Sequence, residues 1–126
     1  MASEGFHEPV ELLDPATMDR HRAIQSLAEE LEAIDWYDQR VVATGDESLA
    51  AVLAHNRDDE KEHAAMALEW LRRRDPKFAQ HLKTFLFTEE PITEIEAEME
   101  DGAEADEAPS DGSLGIGSLR AGGTPK

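Results

Sequence analysis

Two long stretches of the chain repeat their apolar residues at intervals of three and four, and a short polar segment separates them. The first set is Ile24, Leu27, Leu31, Ile34 and Val41, and the second is Leu49, Val52, Leu53, Ala67, Trp70 and Leu71. Such spacing places each set along one face of an α-helix. The segment between them, "ATGDES", is short, so we expect an antiparallel two-helix hairpin and an all-α fold.

Capping residues mark where the helices begin and end. Asp14 is a good N-cap and Pro15 suits the first helical position, while Asp46 can cap the second helix. Gly45 can end the first helix in a left-handed conformation. A further cap-and-proline pair, "DP" in "RRRDPKF", predicts a short third helix, and the proline of "EEPITEIEAEM" predicts a last short helix.

Composition bounds the size of the fold and its partners. The 126 residues suffice for one small domain, which we place at 1–98. The segment 99–112 is acidic, rich in small residues and without periodicity, so we expect a disordered linker. Residues 113–126 form a tail in which aliphatic residues return. The formal net charge of -17 argues against nucleic acid and anionic membranes as partners.

Several familiar classes of site and location are excluded by what the sequence lacks. It has no cysteine, which excludes disulfides and thiolate metal sites. The first thirteen residues show no basic start followed by an apolar run, so we expect no secretory signal. Uncharged stretches are shorter than the roughly 18 apolar residues that a membrane span needs. We expect a soluble, cytoplasmic protein.

A hairpin of two amphipathic helices covers only part of the apolar face of each helix. The simplest cover for the remainder is a second copy of the chain. Two hairpins related by a two-fold axis make a four-helix bundle. The sequence therefore predicts a homodimer.

Glu60 and His63 fall inside the apolar stripe of the second helix, where an uncompensated charge is costly. In one interpretation they pair with each other, or with Arg57, at the solvent edge of the bundle. In the other they bind a metal ion, because E-x-x-H places a carboxylate and an imidazole one turn apart. Glu30, on the margin of the first helix's stripe, favours the metal site.

One chain thus offers one Glu and one Glu-x-x-His. Di-iron carboxylate bundles use two of each, from four helices, so a two-fold dimer would complete the set at its interface. Carboxylates with one imidazole per metal suit iron. The affinity of such a site for divalent metals would also allow zinc, cobalt or manganese.

Several blocks of the sequence resemble the encapsulated ferritins, a two-helix branch of the ferritin-like superfamily. They are "DRHRAI", "EELEAIDWYDQRV", "LAHNRDDEKEHAAM", "LEWLRR" and "FLFTEEPIT", and the resemblance covers about His7 to Ile95. It implies a ferritin-like four-helix bundle and a ferroxidase that oxidises Fe(II) with O₂. Glu30, Glu60 and His63 match the di-iron ligands, and Tyr37 matches an aromatic residue beside the site.

The resemblance also implies a second, outer metal site on the first helix. Glu29, Glu32 and Trp36 match an acidic site that attracts or transfers metal, with calcium or another divalent ion as its candidate occupant. These residues share a helix face at i, i+3 and i+7. Exposed glutamates at such spacing usually serve only as solvent coverage, so the pattern by itself leaves both interpretations open.

The tail motif "GSLGIGSLR" resembles the cargo-loading peptide that docks inside an encapsulin shell. Leu114, Ile116 and Leu119 are the candidate docking residues, since spaced aliphatics in an extended peptide suit shallow pockets. The resemblance implies a ring of five dimers inside an encapsulin nanocompartment of the cytoplasm, where oxidised iron mineralises and is stored. The alternative is a non-catalytic, metal-binding or structural helical cargo or adaptor protein.

Overall fold

The computed structural model describes residues 5–106, and every regular element in that range is helical. A 3₁₀ turn, Val10–Leu12, precedes α1, Pro15–Ala43, and α2, Glu47–Arg74. Two shorter helices follow, α3, Pro76–Phe85, and α4, Ile92–Asp106. The helices α1 and α2 pack against each other along the hairpin, and the all-α prediction is confirmed.

Each predicted aspartate cap is formed. Asp14, Asp46 and Asp75 accept hydrogen bonds from the backbone N–H three residues later, at 2.7, 3.0 and 3.0 Å. Each bond satisfies a backbone donor that the first turn of a helix leaves unpaired, which stabilises the helix by about 1 kcal/mol. The caps begin α1, α2 and α3 where the sequence analysis expected.

Gly45 was expected to end α1 in a left-handed conformation, and that prediction was wrong, because its φ lies outside that region. Thr44 ends the helix instead, in extended backbone, and its N–H donates to the carbonyl of Arg40 at 3.1 Å. The Thr44 hydroxyl then accepts from the backbone N–H of Asp46 at 3.2 Å. The threonine therefore makes the turn without a residue of positive φ.

Two compact units divide the chain between Arg74 and Asp75. The hairpin belongs to the first unit, while α3 and α4 contact each other in the second. Helix α4 continues to Asp106, where the sequence analysis expected the linker to have begun at residue 99. The residues "EAEME" are strong helix formers, which explains the longer helix. No helix within residues 5–106 is long and apolar enough to cross a lipid bilayer.

Burial within the hairpin is sparse. Among the described residues only Ala64 and Leu71 are buried hydrophobics, and both lie on α2. Large apolar side chains remain exposed along both long helices: Ile24, Leu31, Trp36, Val42, Leu49, Val52 and Met66. The hairpin by itself therefore leaves much of its apolar surface uncovered.

Leu71 provides a direct test of this small core. Its side chain is 3% exposed, so Leu71→Ala removes buried methyl groups and leaves a cavity. We expect a loss of about 2–5 kcal/mol in the free energy of unfolding, measured by urea titration. Leu12→Ala is the matched control, because Leu12 is 74% exposed, and it should change stability little. Equal effects of the two substitutions would contradict the assignment of the core.

Candidate metal centre

The two long helices bring together three potential metal ligands. Helix α1 supplies Glu30, and α2 supplies Glu60 and His63 from successive turns. One donor atom from each of the three residues lies within 4.8 Å of the others. Nδ1 of His63 is 3.3 Å from Oε1 of Glu60 and 3.6 Å from Oε1 of Glu30. These are the three residues that the sequence analysis singled out.

The cluster is at the surface of the single chain. The side chains of Glu30, Glu60 and His63 are 27%, 24% and 46% exposed. Arg57, the other candidate partner of Glu60, lies elsewhere: its guanidinium contacts Asp38 at 2.9 Å and Asp58 at 3.1 Å. The two site glutamates therefore interact with each other and with His63 rather than with Arg57.

The two carboxyl groups perturb each other's ionisation. A hydrogen bond with Glu60, followed by desolvation and the nearby negative charge, raises the pKa of Glu30. The same hydrogen bond, now accepted from Glu30, lowers the pKa of Glu60. The pair therefore shares a proton on Glu30 at pH values where an isolated carboxyl would have lost it. A cation between the two carboxylates would replace that proton.

The imidazole of His63 is perturbed in the complementary direction. Its hydrogen bond to Glu60 raises its pKa, and the charges of the two site glutamates act in the same sense against its partial desolvation. His63 therefore carries its charge more readily in the folded chain than in the unfolded one. Because a metal ligand must be the neutral imidazole, metal binding would release a proton here.

This raised pKa predicts how the metal-free protein responds to pH. The contribution of His63 to stability is fully present below the unfolded value of 6.5, and it is lost as pH rises through the higher folded value. We expect the gap in melting temperature between the wild type and His63→Gln to shrink as pH rises above 6.5. Thermal unfolding in the presence of a chelator measures the gap. A gap that widened with pH would contradict the direction of the shift.

The donor set fits a divalent transition metal. Two carboxylates and an imidazole are typical ligands of iron, manganese, cobalt and zinc. Three ligands from one chain leave several coordination positions of an iron ion open. The cluster thus suits a metal ion whose remaining coordination positions are filled by further donors or by a substrate.

A groove of about 570 Å³ runs along the hairpin beside this cluster. Its lining includes Glu30 and His63 together with Met66 and Trp70. The sequence analysis placed Trp70 and Leu71 on the apolar face of the second helix, and of these two only Leu71 is buried. Trp70 is half-buried, lines the groove and holds the guanidinium of Arg74 4.3 Å from its ring centroid. The sequence did contain a sign of this position, because Trp70 follows His63 by seven residues and so lies on the same face of the helix.

The residues predicted for the outer site lie along α1. Glu29, Glu32 and Trp36 are all exposed. Among the described residues, the one group of three or more potential ligands within reach of each other is the Glu30 cluster, which includes none of them. Tyr37 is half-buried on the same helix, and the guanidinium of Arg40 lies 5.4 Å from its ring centroid. The candidate docking residues Leu114, Ile116 and Leu119 lie outside the described residues.

A sequence profile of the EncFtn-like family matches residues 5–89, a range that includes the whole hairpin and all three candidate ligands. The chain belongs to the EncFtn-like family. The resemblance to the encapsulated ferritins is thereby confirmed.

Three relatives illustrate the similarity of this EncFtn-like chain to known proteins. An "Encapsulated ferritin-like protein" of Rhodospirillum rubrum is 60% identical over 94% of this chain and 90% of its own length. A crystal structure of a Nitrosomonas europaea protein has a TM-score of 0.68 and 61% identity, covering 70% of this chain and 97% of its own. An "Encapsulin nanocompartment cargo protein EncC" of Myxococcus xanthus is 44% identical over 43% of this chain and 42% of its own length.

Proposed function

We propose that this EncFtn-like protein is a ferroxidase that oxidises Fe(II) with O₂ at a di-iron site shared between two copies of the chain. The observation that carries the proposal is the convergence of Glu30, from one helix, with Glu60 and His63, from the other. Membership of a ferritin-like family supports iron as the metal.

A dimer is proposed because one chain has only half of the ligands and half of the helices that such a site needs. Two carboxylates and one imidazole are half of what a di-iron carboxylate bundle uses, and one hairpin has half of its helices. A second copy related by a two-fold axis doubles both. The exposure of the cluster and of apolar side chains such as Leu31 and Met66 supports this arrangement, because a partner would cover them. A ring of five such dimers is the larger assembly that the family resemblance implies.

The residues of the site have distinct tasks in this reaction. Glu30, Glu60 and His63 of each chain would bind Fe(II) as substrate, and binding would displace any proton that these groups carry. Two Fe(II) ions held side by side can supply two electrons to one O₂, and hard carboxylate oxygens favour the Fe(III) that results. Tyr37 is proposed as a supporting residue or electron source. Glu29, Glu32 and Trp36 are proposed to attract metal on the outer surface.

Mixing anaerobic Fe(II) with the aerated protein tests the ferroxidase. We expect the near-ultraviolet absorbance of Fe(III) to rise well above the rate in buffer, with a fast phase of about two Fe(II) per dimer. A rate equal to that of buffer would end the catalytic proposal.

The alternative is a non-catalytic metal-binding or structural cargo protein. The contact between Glu60 and His63 at 3.3 Å favours it, because a carboxylate and an imidazole three residues apart on a helix can pair as a purely structural contact. Glu30 argues for the catalytic proposal instead. A structural pair of Glu60 and His63 has no need of Glu30. Placing Glu30 beside Glu60 raises the pKa of Glu30, which shows that the contact between the two carboxyls is unfavourable when both are ionised.

The assembly of the dimer gives a further prediction. The four clustered carboxylates of an interface site repel one another without metal, so metal should stabilise the dimer. We expect anaerobic Fe(II) or Co(II) to shift a dilute, chelator-treated sample towards dimers and larger species, as measured by light scattering. A mass that was independent of metal at every protein concentration would argue against a shared site.

The tail is proposed to load this ferroxidase into an encapsulin shell. The sequence motif at Leu114, Ile116 and Leu119 supports this proposal. So does the similarity to the encapsulated ferritin-like protein of Rhodospirillum and the encapsulin cargo protein of Myxococcus. The acidic linker would then act as a leash between the shell wall and the catalytic ring. Released Fe(III) would mineralise inside that cytoplasmic nanocompartment.

A further inference from the structure

The site requires that two separate helices keep a fixed position along each other. Glu30 is on α1, whereas Glu60 and His63 are on α2. A slide of one helix by a single turn would move the carboxylate of Glu30 by about 5 Å, which is more than the spacing within the cluster. When both are ionised, Glu30 and Glu60 also repel each other, which favours separation of the helices at the site itself.

Fully buried apolar residues support the hairpin on only one side of the site. The buried residues Ala64 and Leu71 follow His63 on α2, in the direction away from the hairpin loop. On the loop side of Glu60, the apolar residues of α2 are at most half-buried: Leu53 is half-buried, and Val52 is exposed. A polar contact between the helices would add to this weaker packing.

Arg57 lies at that place. It precedes Glu60 by one turn on α2, and its Nη1 donates to Oδ1 of Asp38 on α1 at 2.9 Å. Its Nε donates to Oδ1 of Asp58 at 3.1 Å, which orients the guanidinium. The side chain is 22% exposed, against 56% for Asp38, so Arg57 is the more enclosed partner. Two carboxylates that accept hydrogen bonds from one arginine neutralise its charge and also fix the orientation of its guanidinium.

We propose that Arg57 is a positioning residue of the di-iron site: by bridging Asp38 and Asp58, it sets the register in which Glu30 meets Glu60 and His63. The proposal deepens the proposed function and depends on it for its kinetic effects. Arg57 binds no iron itself. By joining the two helices, it keeps the ligands together before metal arrives, despite the repulsion between the site carboxylates.

Kinetics of iron oxidation provide the first test, with Arg57→Gln and Asp38→Asn as the variants. The Fe(II) concentration at half-maximal rate should rise about three- to tenfold, while the maximal rate stays within about twofold, because every ligand is retained. Arg57→Lys should restore part of the loss, since it keeps the charge but not the two-pronged geometry. Arg72→Gln is the matched control, because Arg72 pairs with Glu69 within α2, and it should behave as the wild type.

A second measurement tests the register of α1 against α2 in the metal-free protein. Spin labels at the exposed positions Ala28 on α1 and Ala65 on α2 report the distance between the helices, with labelled chains diluted in unlabelled protein. In Arg57→Gln and Asp38→Asn the distance distribution should broaden or shift, and in Arg72→Gln it should not. Unchanged distributions in the first two variants would overturn the positioning role, whatever the iron kinetics. A changed distribution in a protein that oxidises no iron would keep the positioning role and remove the ferroxidase.

Discussion

Replacing His63 with alanine is expected to lower the initial rate of Fe(II) oxidation by about 100-fold or more, to near the rate in buffer. The substitution removes the only imidazole of the cluster, and a two-fold dimer would lose both of its imidazoles at once. Loss of a group that merely orients a ligand already costs 10–100-fold in many metal sites, so the loss of a ligand should cost at least as much. Glu30→Ala should have a similar effect.

A control separates this effect from a general disturbance of the hairpin. His55 lies on the same helix and pairs with Asp59 at 3.4 Å, outside the cluster. His55→Ala should therefore retain the wild-type rate. If His63→Ala oxidised iron as fast as His55→Ala, the cluster would not be the catalytic site, and a structural role for Glu60 and His63 would be the better account.

Loss of the tail motif is expected to abolish loading into an encapsulin shell. Burial of one aliphatic side chain contributes about 1.5–3 kcal/mol, so replacing Leu114, Ile116 and Leu119 together with alanine should weaken docking by more than about 100-fold. Co-expression with an encapsulin shell protein, followed by purification of shells, measures the amount of cargo inside. Fe(II) oxidation by the free triple variant should be unchanged, because the motif is remote from the cluster in sequence.

A truncation after Arg120 is the matched control for docking. It removes "AGGTPK" and keeps all three aliphatic residues, so it should load as well as the full chain. Equal loading of the triple variant and the truncated chain would exclude the motif as the docking peptide. The shell would then have to recognise another surface of the cargo.

The helices themselves were predictable because their causes are local. Apolar spacing and the side-chain caps of Asp14, Asp46 and Asp75 act within a few residues of each other, and the structure has them as expected. The errors were also local. Gly45 was chosen for its conformational freedom, although an extended Thr44 with its own hydroxyl contact ends the helix equally well.

The composition of the site was predictable for a different reason. A carboxylate and an imidazole on an apolar stripe contradict the surrounding pattern, and such contradictions mark functional positions. The sequence left open whether Glu60 would turn to Arg57, and the structure shows Arg57 bound to Asp38 and Asp58 instead. That choice depends on which residue of α1 lies opposite Arg57.

The sequence by itself determined the helical hairpin, its aspartate caps and the identity of the candidate metal ligands, because these properties depend on neighbours within about two turns. Only the tertiary structure decided that Glu30 meets Glu60 and His63, that Trp70 lines the groove, and that Arg57 crosses to α1. These contacts join residues far apart in the chain. They are set by the rotation and register of one helix against the other, which no local pattern specifies.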